Sequence, residues 1–376
     1  MKMLYILNVA NRVNNFCMSS LIAAKKTGIE YHIAGNWGYA NDAERVADEE
    51  KYGIHIYQID FIRFPLDIRN YKAYKQLKEI VNREKYDVIY CNTPTGGLLG
   101  RIAGKKCGVK KVIYQAHGFH FYKGAPKLNW MVYYPIEKWL AHHTDALITI
   151  NQEDYELAKN KFHLRNNGKI YSVAGVGIDL SQYEITAPKD LRASLGINED
   201  DIMLISAGDL VKRKNYKVAI KAIAETNLKN IKYCICGKGP QLEELTEYAK
   251  SLGVADQILF LGFRSDMKEL FQAADIFFFT TKQEGLPRSM MEAMASGLPC
   301  VASKIRGNTD LMVDGEGGYL CDTNDVSSYA EKLNILANDL SMRQKMGENN
   351  LIAIKKFSVE TVIEEIRNVY DTELGE

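Results

Sequence analysis

Neither sign of charge is in excess: over 376 residues, 48 Lys and Arg face 47 Asp and Glu, for a net charge of +1. With 25% charged and 46% hydrophobic residues, intrinsic disorder, collagen and coiled coil are excluded, and there is ample material for a core. Long apolar runs are also missing. No stretch approaches the roughly 18–20 apolar residues that cross a bilayer. The run Leu4–Val9 gives way to polar Asn11 and Arg12, which reads as a first strand rather than a signal peptide. The seven cysteines are odd in number, scattered, and without paired C-x-x-C spacing. That argues against a disulfide framework or structural zinc and for reduced thiols in a cytoplasmic protein. Internal repeats and low-complexity tracts are absent.

What is present is a rhythm. Short apolar, β-branched runs near residues 3–9, 31–34, 55–59, 88–91, 111–115, 146–150 and 170–173 alternate with helical patterns such as 70–84, 97–107 and 129–142. The pattern restarts with strands near 203–207, 232–236, 258–261, 276–280 and 300–302, and with helices over 215–226, 241–251, 288–295 and 326–338. Alternating β and α elements predict α/β architecture, with parallel sheets covered on both faces. Two such runs predict two doubly wound domains, residues 1–180 and 181–357, joined through the Gly- and Pro-containing segment 175–189. Residues 1–180 carry 25 basic and 17 acidic residues, net +8, whereas residues 181–376 carry 23 and 30, net −7. Only the first half is therefore expected to face something anionic.

Ligands of open parallel sheets bind beyond the carboxyl ends of the strands, so the residues just after each strand carry the chemistry. After 203–207 comes Gly208-Asp-Leu-Val-Lys-Arg213-Lys214-Asn215, a glycine and three cations ahead of a helix. Helix dipole, amides and charge converge there on one anion, although a solvated basic turn has the same composition. After 276–280 comes Glu284-Gly285-Leu286-Pro287-Arg288, with Glu292 further on. Pro287 suits the first helical position, which leaves Glu284 on the loop and Glu292 in the helix as a buried, partnered carboxylate; a capping acid and a solvated one are the plainer alternatives. His117 ends the strand 111–115 beside Gly118, and Asn92-Thr93-Pro94-Thr95-Gly96-Gly97 opens a helix, where it could hold hydroxyls or phosphates or simply cap.

These segments together resemble the retaining glycosyltransferases of the GT-B fold, family four. The resemblance rests on E-G-L-P-R-S-M-M-E-A-M-A-S-G-L-P with its two glutamates, on G-D-L-V-K-R-K-N, and on Q-A-H-G-F-H-F-Y-K-G-A-P. Tyr133–Trp139, Gly175–Asp179 and Arg306–Asp310 look like the bacterial exopolysaccharide and capsule transferases of that family. The resemblance implies two facing Rossmann-like domains with a cleft between them, and a C-terminal helix, 358–376, returning to the first domain. It implies that Lys214 contacts the donor diphosphate with Arg213 as helper, that Glu292 holds the ribose hydroxyls, and that Arg264 lies near the base. Glu284 and the amides of Gly285, Leu286 and Pro287 would lie by the donor sugar and phosphate, Gly208 in the phosphate loop, and His117 at the transferred sugar. Asn92, Thr93, Phe119, His120 and Phe121 are expected on the acceptor side.

Two features depart from the family. Asp209 stands where an arginine is common, and the loop 8–15 lacks a glycine pair. No D-x-D follows a strand and no compact carboxylate cluster is visible, so neither metal nor other cofactor is expected, only a nucleotide-sugar, most simply a UDP-sugar, as co-substrate. The acceptor implied is a saccharide or a polyprenyl-diphosphate-linked glycan. Aromatic-basic stretches at 61–64, 70–75 and 119–139 suggest contact with an anionic membrane at its cytoplasmic face. The last helix, net −5, would reduce the first domain to +3. No nucleic-acid partner is expected. The competing readings are a sugar-nucleotide epimerase on the same fold and a non-catalytic nucleotide-sugar-binding subunit.

Overall fold

The computed structural model describes residues 1–38 and 40–375; Glu376, counted above with the last helix, lies outside the described residues. Contacts divide the chain into two units, Met1–Gly177 with Val359–Glu376, and Ile178–Ser358.

In the first unit, β1 (Lys2–Val9), β2 (Glu30–Asn36), β3 (His55–Gln58), β4 (Val88–Asn92), β5 (Lys111–Ala116), β6 (Ala146–Thr149) and β7 (Lys169–Ser172) form a parallel sheet in the order β3-β2-β1-β4-β5-β6-β7. In the second, β8 (Ile202–Ala207), β9 (Ile231–Cys236), β10 (Ile258–Gly262), β11 (Ile276–Phe279), β12 (Cys300–Ser303) and β13 (Gly318–Cys321) run β10-β9-β8-β11-β12-β13, again parallel. Helices cover both faces, so strands such as β1, buried from Met3 to Asn8, are apolar almost throughout. Strand order reverses between β1 and β4 and between β8 and β11. Those are the two places where the loops above a doubly wound sheet diverge and leave a crevice.

β13 has no counterpart in the sequence reading. It is four residues long and starts on Gly318, where a Cβ would meet the Cys300 carbonyl oxygen. A glycine required by close strand approach looks like a turn when only the sequence is read.

The last helix, Val359–Leu374, packs on the helix Asn15–Lys26 within the first unit. Val362, Ile363, Ile366, Val369 and Tyr370 form its buried stripe at helical spacing. Tyr370 shares a hydrogen bond of 2.7 Å with Ser20, and Lys111 pairs with Glu373 at 3.0 Å.

On the opposite face, the helix Pro94–Lys106 lies unusually close to the sheet. A Cβ at Gly97 would come 2.5 Å from the Tyr114 ring, and one at Gly100 would come 2.7 Å from Cys91 Cβ. The Arg101 guanidinium covers the Tyr114 ring at 3.7 Å and pairs with Glu137 at 2.7 Å, tying this helix to the helix Lys127–Ala141. Gly97 and Gly100 thus allow this close packing. Gly100→Ala should destabilise the protein by about 1–3 kcal/mol through overpacking. Urea unfolding checks this; an unchanged midpoint would show that the helix can move away at no cost.

Candidate active site

A cluster of two cations and a carboxylate lies at the switch point of the second unit. After β8, Gly208 has φ +155°, and a Cβ there would come 2.9 Å from Lys214 Cε. The glycine therefore makes room for the lysine to fold back over the strand end. Residues Lys212–Lys214 form one 3-10 turn, Asn215 takes φ +59°, and the helix Tyr216–Thr226 follows. The helix thus begins one residue later than expected, with the cations ahead of it as the sequence implied.

The loop after β11 is stitched to this turn. Lys282 N donates to Arg213 O at 2.8 Å, Thr281 Oγ1 to Arg213 O at 3.2 Å, and Thr280 Oγ1 to Asn215 O at 3.1 Å. Glu284 Oε1 then receives three donors: Lys214 Nζ at 2.8 Å, Thr281 Oγ1 at 2.9 Å and Arg213 Nη1 at 3.0 Å. Lys214 is buried and its ammonium lies 4.6 Å from the centre of the Phe279 ring. Two cations against one carboxylate, Lys214 buried and Arg213 about half exposed, leave one positive charge held in place, which is what a phosphate-binding point requires. Asp209 is exposed to solvent.

The rest of the paired-glutamate segment is held from behind. Arg306 Nε donates to Glu284 O at 3.1 Å, and Gly307 lets the Gly285 carbonyl approach where a Cβ would stand 2.7 Å away. Pro287 is the residue before the helix Arg288–Ala295 rather than its first. Having no N–H, it has no amide to offer, which leaves those of Gly285 and Leu286 among the three residues the resemblance implied. Glu292 is largely buried and accepts from Arg288 Nε at 2.9 Å. Burial, and then the negative Glu292 nearby, raise the Tyr183 phenol above its ordinary pKa. Arg264 is engaged by Asp266, Nε to Oδ1 at 2.8 Å. Thr281, Arg306 and Tyr183 were not singled out in the sequence. Arg306 lies inside a segment carrying the resemblance, while Thr281 was legible only as a hydroxyl at a strand end.

In the first unit, His117 Nε2 lies 3.0 Å from Asn92 Oδ1 and its ring meets Phe16 at 4.3 Å. Desolvation lowers its pKa to about 4, so it is neutral at pH 7. Thr93, a β-branched residue at φ +63°, makes no side-chain cap on the helix it precedes. Strain of that kind persists where the surroundings fix it. Thr93 borders a cavity of about 1150 Å³ above β1 and β4, lined also by Asn8, Arg12, Phe16, His120 and Tyr133. Of the three acceptor-side residues after β5, only His120 lines this cavity, stacked on Tyr133 at 4.7 Å. Phe119 and Phe121 are buried in the core and stack on each other at 4.9 Å, so their side chains serve packing.

Two doubly wound parallel sheets in one chain are the architecture of the GT-B class, and a cation-rich loop pair lies at the second switch point. A family described as glycosyl transferases group 1 matches residues 188–351, and one described as glycosyl transferase 4-like matches residues 2–151. The chain is 34% identical to EpsD of Bacillus subtilis (strain 168), named as a glycosyltransferase, over 92% of this chain and 90% of EpsD. It is 30% identical to the Escherichia coli UDP-Gal:alpha-D-GlcNAc-diphosphoundecaprenol alpha-1,3-galactosyltransferase, over 81% of this chain and 80% of that enzyme. Among solved structures, Anabaena HepE in complex with UDP matches with a TM-score of 0.79 at 21% identity, over 99% of this chain and 100% of that one. The chain belongs to the family-four glycosyltransferases and is a transferase of the GT-B fold.

The state of His117 can be tested by acid. Unfolded, its imidazole takes a proton near about 6.5; folded, it does so only at about 4. Between those values the unfolded chain binds more protons, so stability should fall as pH drops through this window. His117→Gln should flatten that slope in thermal melts, and an unchanged slope would show that other groups carry it.

Proposed function

We propose that this protein moves a sugar from a UDP-sugar to a lipid-linked or saccharide acceptor in surface polysaccharide synthesis, with retention of configuration and without a divalent metal. The observation that carries this reading is the sharing of one Glu284 oxygen by Lys214, Arg213 and Thr281 at the β8–β11 switch point. The choice of UDP is supported by the nucleotide bound in HepE and by the donor named for the Escherichia coli relative. The name of that relative's acceptor, a diphosphoundecaprenol-linked sugar, supports a lipid-linked acceptor.

As the bond between the sugar carbon and the diphosphate oxygen breaks, its electron pair leaves with the diphosphate and positive charge builds on the sugar. Lys214 and Arg213 stabilise the departing anion, a task otherwise given to a metal. The acceptor hydroxyl enters on the face the phosphate leaves and gives its proton to that phosphate. Glu284 has one oxygen already saturated by three donors, which makes it a poor nucleophile and a good clamp for sugar hydroxyls. A neutral His117 suits hydrogen bonding to the sugar better than proton donation. The relatives named as glycosyltransferases support transfer over an epimerase or a non-catalytic carrier, the latter being favoured only by Asp209 in the phosphate loop.

Slow hydrolysis of UDP-sugars by the purified chain, with and without EDTA, tests the reading. Turnover should be insensitive to EDTA. Lys214→Ala and Glu284→Ala should each lower it at least about a hundredfold with the fold intact. Near-wild-type rates in both variants would place the site elsewhere, and a covalent sugar on Glu284, seen by intact-protein mass spectrometry, would replace front-face attack with a double displacement.

A further inference from the structure

Asn92 ends β4 with its side chain fully buried, so that side chain touches no acceptor and must act, if at all, through a neighbour. The neighbour is His117. The register of β4 on β5 sets Asn92 opposite Gln115, and His117, two residues on, comes to the same face of the sheet. Asn92 Oδ1 lies 3.0 Å from His117 Nε2. A carboxamide oxygen can only accept, so the neutral imidazole carries its single proton on Nε2. Nδ1 then holds a bare lone pair, and it has no hydrogen-bond partner among the described residues.

The backbone keeps the amide where it is. The chain leaves Asn92 through Thr93 at φ +63° and ψ 159°, a region otherwise left to glycine. The helix that follows is pinned at its start: Gly96 N donates to Asn8 Oδ1 at 2.7 Å, and Thr95 Oγ1 donates to Ile62 O at 2.9 Å. On the far side of the amide, Asn92 Nδ2 is buried and has no partner among the described residues. A buried donor left unmade costs stability, and that cost calls for a role that needs the amide facing the histidine.

Charge points the same way. Desolvation alone lowers the pKa of His117, with no charged group contributing, and the Phe16 ring 4.3 Å away is one of its apolar neighbours. An aspartate at position 92 would set an anion against Nε2, favour the imidazolium, and turn Nδ1 from an acceptor into a donor. The carboxamide orients the ring without charging it.

We propose that Asn92 is the positioning residue for His117: it fixes the tautomer with the proton on Nε2, so that Nδ1 accepts a hydrogen bond from a hydroxyl of the transferred sugar. The hydroxyl rests on the sugar-transfer reading; the tautomer rests on this unit's geometry alone. Two readouts on the full chain test them separately. With 15N-labelled histidine at neutral pH, the resonances lost in His117→Gln should report a protonated Nε2 and a bare Nδ1. Asn92→Asp should charge that ring, and its UDP-sugar hydrolysis should fall about tenfold from about pH 8 to about pH 6, recovering when the pH is raised, while wild type changes less than about twofold. Asn92→Leu, which removes the acceptor and adds no charge, should be about tenfold slow at every pH, without that acid-side loss. A proton on Nδ1 in the wild type would overturn the proposal, as would an Asn92→Asp chain whose charged ring leaves the wild-type profile intact. If Asn92→Asp does not fold, Asn92→Leu at the wild-type rate would overturn it too. A wild type that hydrolyses no UDP-sugar would strike the sugar-transfer reading instead, and the NMR spectrum would still decide the tautomer.

Discussion

One carboxylate oxygen, Glu284 Oε1, joins the two loops that meet above the reversal in the second sheet. It holds Lys214 and Arg213 from one side and Thr281 from the other. The arrangement depends on backbone features that the side chains alone do not reveal: Gly208 opening space for the lysine stem, Asn215 in the left-handed region, and Arg306 fixing the Glu284 carbonyl. Two cations so close together repel each other, and the shared carboxylate makes their proximity tolerable when no other anion is present. On the proposed reading, a diphosphate arriving there would meet cations already gathered at one point, which would leave less reorganisation for the moment of bond breaking.

Central strands such as β1, β4 and β8 were legible because they are buried almost throughout and therefore read as apolar runs. β13 was not, because a glycine demanded by backbone contact resembles a turn. The helix Arg288–Ala295 was placed correctly, while its proline sits one residue before it. Lys214, Arg213 and Glu284 could be nominated from their positions after strands, and the structure brings all three together. What could not be read is how they join. Thr281 and Arg306 act through a hydroxyl and a backbone carbonyl, and neither interaction leaves a spacing in the sequence.

The aromatic-basic stretches show the same limit. Phe61, Phe119 and Phe121 are core residues, whereas Phe64, Tyr71 and Trp139, a few positions away in similar company, are exposed. Composition singles out such a stretch but not which ring faces outward. That depends on the turn each residue occupies against the sheet. Likewise Gly97, in a segment read as able to hold a ligand, is required by the Tyr114 ring beneath it.

The account's central claim concerns a place, and crystals soaked with UDP test it directly. A diphosphate oxygen should lie within about 3 Å of Lys214 Nζ, with Arg213 alongside. A nucleotide bound elsewhere, or one whose phosphates turn away while Lys214 stays locked to Glu284, would contradict it.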